Sequence, residues 1–282
     1  MIVCLGDLLE DIVVWPSATI ALGTDTPSTI TRCRGGSAAN VAAFVVSRRG
    51  SARFVGSVGR DRLGDALVAE MRAAGVEVAV HCQGRTGSIV VLISPDGERS
   101  FLTDRGSASS LSALPAGALD GGTILHVPAY CLAEEPLATT ATQALALAHQ
   151  RGLITSIDCS STAVLEHVGV GRFRAWIDDM EPDYVFANEA EATLLGWPRT
   201  WTGQGFLLVK HGPDPVEIFD RAGGSAAVPV PPVVGVLDAT GAGDAFAAGF
   251  LVGSLQGAAL VDAVAQGIEL AASVLKQPGA SR

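Results

Sequence analysis

Strand-like and helix-like patterns alternate along most of this chain of 282 residues. Short apolar runs predict buried strands at residues 1–5, 11–15, 51–58, 123–127, 154–158, 184–187 and 206–210. Apolar positions at helical spacing predict helices at residues 37–49, 63–74, 134–150, 188–195, 243–255 and 258–276. Such alternation is typical of an α/β fold in which helices cover both faces of a parallel sheet.

Two strand-rich stretches, residues 11–34 and 77–104, do not follow this alternation. The second contains a predicted hairpin whose turn is formed by the Pro, Asp and Gly at residues 95–97. No flexible linker separates either stretch from its surroundings. The sequence therefore predicts one domain over residues 1–282, in which the two stretches form a small inserted β-sheet that covers the site as a lid.

Charge and cysteine usage exclude several classes of protein. The formal net charge is −10 and the pI is about 4.9, which argues against a nucleic-acid partner. No uncharged apolar run reaches the ~18 residues that a membrane-spanning helix needs, so we expect no membrane partner. The 5 cysteines are widely spaced and form no CxxC pair, which argues against a zinc site or a disulfide framework. We expect a reduced, cytoplasmic protein.

Candidate chemistry lies in the segment Asp-Ala-Thr-Gly-Ala-Gly-Asp at residues 238–244, which precedes a predicted helix. Gly241 and Gly243 let the backbone approach a ligand closely. The free N–H groups and the dipole at the start of that helix favour a phosphate. Asp244, in the first turn, could accept the proton of an attacking hydroxyl. The alternative is that Asp244 is a helix cap without a catalytic role.

Two further segments carry polar residues at the start of predicted helices. Gly35 and Gly36 precede a helix whose first turns hold Asn40, an amide that could bridge two hydroxyls. Asn188 and Glu191 lie three residues apart on one helix face and are suitable ligands for a hydrated Mg²⁺ near phosphates. The alternatives are an Asn that only caps its helix and a solvated acidic first turn.

The three segments, in this order, resemble the ribokinase (PfkB) family of carbohydrate kinases over essentially the whole chain. Residues 238–244 look like the C-terminal motif DTTGAGD of that family, with Ala239 where Thr is usual. The resemblance implies a ribokinase-like three-layer α/β/α sandwich with a small β-sheet lid that often mediates dimers. It also implies ATP-dependent phosphorylation of a hydroxymethyl group on a sugar or nucleoside.

The resemblance also implies roles for individual residues. Asp244 would be the base, and Gly241, Ala242 and Gly243 would form the anion hole. The substrate would bind at Asp11, Gly35, Gly36 and Asn40, while Asn188 and Glu191 would organise Mg²⁺ and the phosphates. Lys210 and Gly212 would approach the nucleotide. Asp238 and Thr240 match positions that hold a monovalent cation, such as K⁺, in some members.

Several interpretations remain open at this point. Arg105 could bind an anionic group of the substrate, or it could form a structural pair with Asp104. His126 is interpreted as a packed histidine, and Asp158 could support the site from the end of a strand. A nucleoside kinase of the same fold and a ligand-binding relative without turnover are the rival functions.

Overall fold

A computed structural model describes residues 1–94, 99–199, 201–236 and 238–276, so the predicted turn at residues 95–97 lies outside the described residues. In these ranges the strands are β1 (Ile2–Leu5), β2 (Leu9–Pro16), β3 (Ser28–Gly35), β4 (Ala52–Val58), β5 (Glu77–Cys82), β6 (Thr86–Ile93), β7 (Arg99–Gly106), β8 (Ile124–Pro128), β9 (Ile154–Asp158), β10 (Tyr184–Asn188), β11 (Phe206–His211), β12 (Asp214–Phe219) and β13 (Ser225–Val228). The helices are α1 (Ser37–Ser47), α2 (Arg62–Ala73), α3 (Leu137–Gln150), α4 (Thr162–Val168), α5 (Val170–Met180), α6 (Glu189–Leu194), α7 (Ala242–Leu255) and α8 (Leu260–Val274).

The larger sheet has the strand order β13-β12-β11-β10-β9-β8-β1-β4-β5. In this spatial order, all neighbouring strands from β11 to β5 pair in parallel. At the other edge, β12 pairs antiparallel with β11 and with β13, because short hairpins join these strands. One core cluster packs α1, α7 and α8 on one face, and a second packs α3 and α5 on the other. This is the predicted three-layer sandwich.

The smaller sheet has the order β3-β2-β6-β7. It contains most of the two strand-rich stretches, and β2 pairs in parallel with β6 between two antiparallel pairs. The prediction that residues 77–104 all belong to the smaller sheet is wrong for the first strand of this stretch, β5. Strand β5 pairs in parallel with β4 in the larger sheet, because α2 connects the two strands as a crossover helix. The chain enters the smaller sheet only at Thr86.

Two helices between β9 and β10, α4 and α5, had no sequence prediction. The side chain of Ser161 caps α4 by accepting a hydrogen bond from the Val164 amide. Helix α5 buries only Phe173 and Ile177 among its residues, so its apolar stripe is too sparse to stand out in the sequence. No described helix has both the length and the apolar character that crossing a bilayer requires.

The polar groups of interest gather at one edge of the larger sheet. Strands β9 and β10 end at Asp158 and Asn188, and Lys210 lies one residue before the end of β11. Ligands of α/β sheets bind at this carboxyl edge of the strands. The starts of α1 and α7 reach the same edge, since Ser37 of α1 is hydrogen bonded to Asp244 of α7. The fold therefore brings together segments from both ends of the chain.

Candidate active site

Asp244 lies in the first turn of α7, and both of its carboxylate oxygens accept hydrogen bonds from α1. Ser37 Oγ donates to Oδ1 at 2.7 Å, and Asn40 Nδ2 donates to Oδ2 at 2.9 Å. These bonds fix the orientation of the carboxylate. Sequence reasoning missed Ser37, although its position directly after Gly35-Gly36 at the start of a helix was visible.

Asn40 has both ends of its side-chain amide engaged within the protein. Its Oδ1 accepts a hydrogen bond from Arg34 Nη1 at 2.8 Å, while its Nδ2 donates to Asp244. Arg34 in turn forms an ion pair with Glu70 of α2 at 3.3 Å. The expectation that Asn40 bridges two substrate hydroxyls therefore does not describe this arrangement, in which Asn40 orients the carboxylate of Asp244.

The environment of Asp244 makes its carboxylate more basic than usual. Burial raises its pKa to about 6, although the donors Ser37 and Asn40 lower it. A carboxylate with a pKa of about 6 is still mainly ionised at neutral pH. It can therefore accept a proton, and it does so more readily than an ordinary aspartate.

The backbone around Gly241 forms the start of α7. Gly241 is the N-cap residue with φ 77°, a left-handed conformation that favours glycine, and no side chain caps the helix. The N–H groups of Gly243 and Asp244 have no intrahelical carbonyl partner at this position in a helix. Together with the helix dipole they provide a site for an anion, beside the carboxylate of Asp244.

Asp11 on β2 lies against the Gly35-Gly36 turn. A Cβ at Gly35 would lie 2.3 Å from Asp11 Oδ1, and one at Gly36 would lie 2.2 Å from the carbonyl oxygen of Asp7. Both glycines therefore permit close approaches that no side chain would allow. Burial, and after it the negative charge of Asp244, raise the pKa of Asp11 to about 6, while Arg34 opposes both.

Lys210, near the end of β11, provides a cation beside the start of α7. Its Nζ lies 3.2 Å from Asp158 Oδ2 and 5.8 Å from the centre of the Phe246 ring. A Cβ built at Gly243 would be 3.5 Å from the same Nζ. Burial alone would lower the pKa of Lys210, but Asp158 and Glu191 raise it, so the side chain stays charged. Gly212 lies in the exposed turn that follows, with φ 64°.

Asn188 and Glu191 form a capping box at the start of α6. The Asn188 side chain accepts from the Glu191 amide at 2.9 Å, and the Glu191 carboxylate accepts from the Asn188 amide at 2.8 Å and from its Nδ2 at 2.7 Å. Glu191 is 1% exposed, so the alternative of a solvated acidic turn does not apply to it. Burial raises the pKa of Glu191 to about 7, with the charge of Asp158 adding to the effect and Lys210 opposing it.

The oxygen donors at this edge are of the type that a hydrated Mg²⁺ accepts. Carboxylates and an amide oxygen, here from Asp158, Glu191 and Asn188, are ligands that Mg²⁺ accepts, and this ion keeps several of its waters. No group of three or more His, Cys, Asp or Glu side chains in the described part of the chain could by itself hold a metal.

Arg105 is engaged within the protein, but not with Asp104. Its guanidinium forms a hydrogen-bonded ion pair with Asp7 and lies 5.6 Å from the centre of the Tyr130 ring, whereas Asp104 pairs with Arg85. The buried atoms Asp7 Oδ1 and Arg105 Nε have no hydrogen-bond partner. The structural pair that the sequence suggested therefore exists with a different acidic residue.

Asp238, which is 8% exposed, lies just before α7 and is bound to an arginine of the smaller sheet. Arg99 Nη2 donates to Asp238 Oδ1 at 2.5 Å, and the Thr240 amide donates to the same oxygen at 2.8 Å. No pattern in the sequence indicated Arg99. Contacts between residues so distant in the chain are not visible as a local pattern.

Comparison with known proteins shows the family of this chain. The model of the pfkB family of carbohydrate kinases matches residues 1–282. A fructokinase of Klebsiella pneumoniae is 30% identical over 252 residues, which cover 84% of this chain and 81% of that protein.

Two solved kinase structures have the same fold as this chain. A probable sugar kinase from Rhizobium etli superposes with a TM-score of 0.86 at 26% identity, covering 99% of this chain and 94% of the other. An adenosine kinase from Sinorhizobium meliloti superposes with a TM-score of 0.84 at 25% identity, covering 100% and 95%. The chain therefore belongs to the pfkB family of carbohydrate kinases, and it is an ATP-dependent carbohydrate kinase.

Proposed function

We propose that the protein transfers the γ-phosphoryl group of ATP to a hydroxyl of a sugar, with Asp244 as the catalytic base. The observation that carries this proposal is the position of Asp244. Its half-buried carboxylate lies at the start of α7, beside free backbone N–H groups, with both oxygens oriented by α1. A proton acceptor and an anion site thus lie next to each other, as in-line transfer to a hydroxyl requires.

The acceptor sugar binds between the smaller sheet and the start of α1. Asp11, Gly35, Gly36 and Asn40 form this region, and the Asp11 carboxylate is an acceptor for sugar hydroxyls. Arg105 contributes through Asp7, whose unpartnered Oδ1 can accept a further hydroxyl. The smaller sheet acts as a lid that excludes water from the site and limits hydrolysis of ATP.

The phosphates bind at the start of α7. The N–H groups of Gly241, Ala242 and Gly243 stabilise the negative charge that develops on the transferred group. For this, the Ala242 N–H exchanges its hydrogen bond to the Ala239 carbonyl, at 3.2 Å, for one to the phosphoryl group. The Lys210 ammonium lies beside Gly243, so it can move from Asp158 toward a phosphate oxygen. Gly212 keeps the turn after β11 free of a side chain where the nucleotide approaches.

Asn188, Glu191 and Asp158 would hold Mg²⁺ through its waters. The ion, when bound, neutralises the charge of the phosphates. The capping box keeps the Glu191 carboxylate in one orientation toward this region, because two donors of Asn188 bind it. Asp238 and Thr240 were predicted to hold a monovalent cation, but Asp238 already binds the Arg99 guanidinium.

Homodimerisation through the smaller sheet is a further part of the proposal. Ile30 of β3 is 58% exposed and Leu102 of β7 is 60% exposed. Both project from the face opposite to that of Asp11, as the strand alternation requires. Apolar side chains on this outward face would be covered in a dimer. Sedimentation equilibrium of the protein and of a Leu102→Glu variant tests this.

A nucleoside acceptor is the second candidate, and Phe101 favours it. Phe101 is 58% exposed and pairs with Val91, which pairs with Val13 two residues from Asp11. It therefore shares the face of Asp11 and could stack on a nucleobase. The solved adenosine kinase from Sinorhizobium meliloti has the same fold.

One assay separates the candidates. ATP consumption is measured with a panel of neutral sugars, sugar phosphates and nucleosides, each also with the Asp244→Asn variant as the blank. Turnover of sugars supports the proposal, and turnover of nucleosides alone replaces it with the second candidate. A signal no higher than the variant's on every compound would indicate a binding protein without turnover.

A further inference from the structure

Arg99 connects the smaller sheet to the segment that leads into α7. It is the first residue of β7, while Asp238 lies six residues before Asp244 in the chain. The two side chains meet at 2.5 Å as an ion pair in which Asp238 is 10% and Arg99 is 27% exposed. A buried carboxylate needs such a counter-charge, because an unpaired one is costly outside water.

Asp238 also shapes the turn that places the anion site. Its Oδ1 accepts from the Thr240 amide at 2.8 Å, and Gly241, the N-cap of α7, follows directly. The same oxygen thus holds the backbone of the turn and the Arg99 guanidinium. A change in the charge balance at Asp238 would therefore alter the positions of the N–H groups of Gly241 to Gly243.

These contacts do not fit a monovalent cation at Asp238. At Asp238 Oδ1 such an ion would compete with two donors, and it would lie against a guanidinium of the same charge. The guanidinium is permanently charged, so it provides what the cation would provide.

We propose that Arg99 is a positioning residue that supplies a fixed counter-charge to Asp238, so that phosphoryl transfer in this protein requires no monovalent cation. The proposal rests on the proposed function for its kinetic consequence only. Loss of the guanidinium removes this counter-charge from Asp238 beside the anion site. A free cation can then bind there and affect both the turn and the stability of the fold.

The experiment compares the wild type, Arg99→Ala and the control Arg85→Ala in KCl and in choline chloride at equal ionic strength. Arg85 lies just before β6 and forms an exposed ion pair with Asp104, so it reports on charge removal near the smaller sheet without a contact to Asp238. We expect wild type and Arg85→Ala to show equal kcat in both salts. Arg99→Ala should lose about tenfold to a hundredfold of kcat in choline, since misplaced catalytic groups cost this much. KCl or methylguanidinium should restore part of this loss.

A second readout needs no turnover. The melting temperature of Arg99→Ala should rise with KCl concentration but not with choline chloride, because an ion that binds only the folded state stabilises it. The wild type and Arg85→Ala should show no difference between the salts. This measurement separates a failure of the Arg99 proposal from a failure of the kinase proposal, which the panel of acceptors tests.

Three results would overturn the inference. One is a several-fold activation of the wild type by K⁺, and another is an Arg99→Ala variant with the kcat and salt response of the wild type. The third is a loss of kcat that neither K⁺ nor methylguanidinium restores, together with a melting temperature indifferent to K⁺. That combination would assign Arg99 to the smaller sheet alone.

Discussion

Asn40 and Asp244 are 204 positions apart in the chain, yet the Asn40 amide donates to the Asp244 carboxylate at 2.9 Å. The contact joins α1, which follows the smaller sheet, to α7, which carries the anion site. It also makes the orientation of Asp244 depend on the Gly35-Gly36 turn that begins α1. The proposed acceptor region and the proposed base are therefore held by one hydrogen-bonded unit.

The Asp244→Asn variant should retain the fold and nucleotide binding but lose most turnover. An amide cannot accept the hydroxyl proton, and general base catalysis typically contributes ~10²–10⁴-fold. The measurement is kcat on the substrate that the panel identifies, with nucleotide affinity by calorimetry and the melting temperature as checks on folding.

Asp262→Asn is the matched control for this variant, since Asp262 lies exposed in the first turn of α8. It removes the same charge from an equivalent helix position and should leave kcat unchanged. A near-wild-type rate for Asp244→Asn would contradict the assignment of the base.

Removal of the Ser37 hydroxyl should shift the pH dependence of catalysis. The hydrogen bond from Ser37 lowers the pKa of Asp244, so Ser37→Ala should raise that pKa above its present value of about 6. The base must be ionised, and the acid limb of kcat/KM should therefore move to higher pH. The decrease in kcat/KM of Ser37→Ala relative to the wild type should be larger at pH 6 than at pH 8. Ser47→Ala, at the other end of α1, should leave the profile unchanged, and an unshifted limb for Ser37→Ala would contradict the argument.

Much of this fold was predictable because its signals are local. Apolar runs and helical spacing predicted the strands and helices of the larger sheet, and the glycines at 241 and 243 indicated the start of α7. Strand β5 was misplaced because its sequence does not tell which neighbour it pairs with. Its position in the larger sheet follows from the crossover helix α2, which is a topological relationship.

The pairing of charged side chains was much less predictable. Arg105 binds Asp7 and Arg99 binds Asp238, and the latter pair is separated by 139 positions. The sequence indicated Arg105 and Asp238 as candidate site residues, but it indicated neither of their partners, Asp7 and Arg99. Which cation meets which carboxylate depends on how the smaller sheet lies against the carboxyl edge of the larger one.

Substitution of Gly35 by alanine should weaken binding of the acceptor specifically. The new Cβ would lie 2.3 Å from Asp11 Oδ1, so the Asp11 carboxylate must move. We expect KM for the acceptor to rise by about tenfold or more, since each lost hydrogen bond to a charged group contributes ~1.5–3 kcal/mol. The affinity for ATP should stay unchanged.

Gly171→Ala is the control for this substitution, because a Cβ at Gly171 in α5 meets no atom within 4 Å. It should leave both constants unchanged. If Gly35→Ala raised the KM for ATP and for the acceptor equally, the acceptor region would be elsewhere.

His126 in β8 should make the protein less stable at mildly acidic pH. Burial lowers the pKa of His126 to about 4 from its usual value of 6.5, and its Nδ1 lies 2.9 Å from Ser156 Oγ. As the pH falls from 6.5 toward 4, His126 becomes protonated in the unfolded chain but stays neutral in the folded protein. The free energy of unfolding should therefore decrease by up to ~1.4 kcal/mol per pH unit through this residue.

The raised pKa values of Asp244, Asp11 and Glu191 act in the opposite sense. Their contributions to the free energy of unfolding cancel in the difference between wild type and His126→Asn. Urea unfolding from pH 7 to 5 should give a shallower loss for His126→Asn, whereas the exposed His81→Asn should follow the wild type, and parallel curves for all three would contradict the prediction.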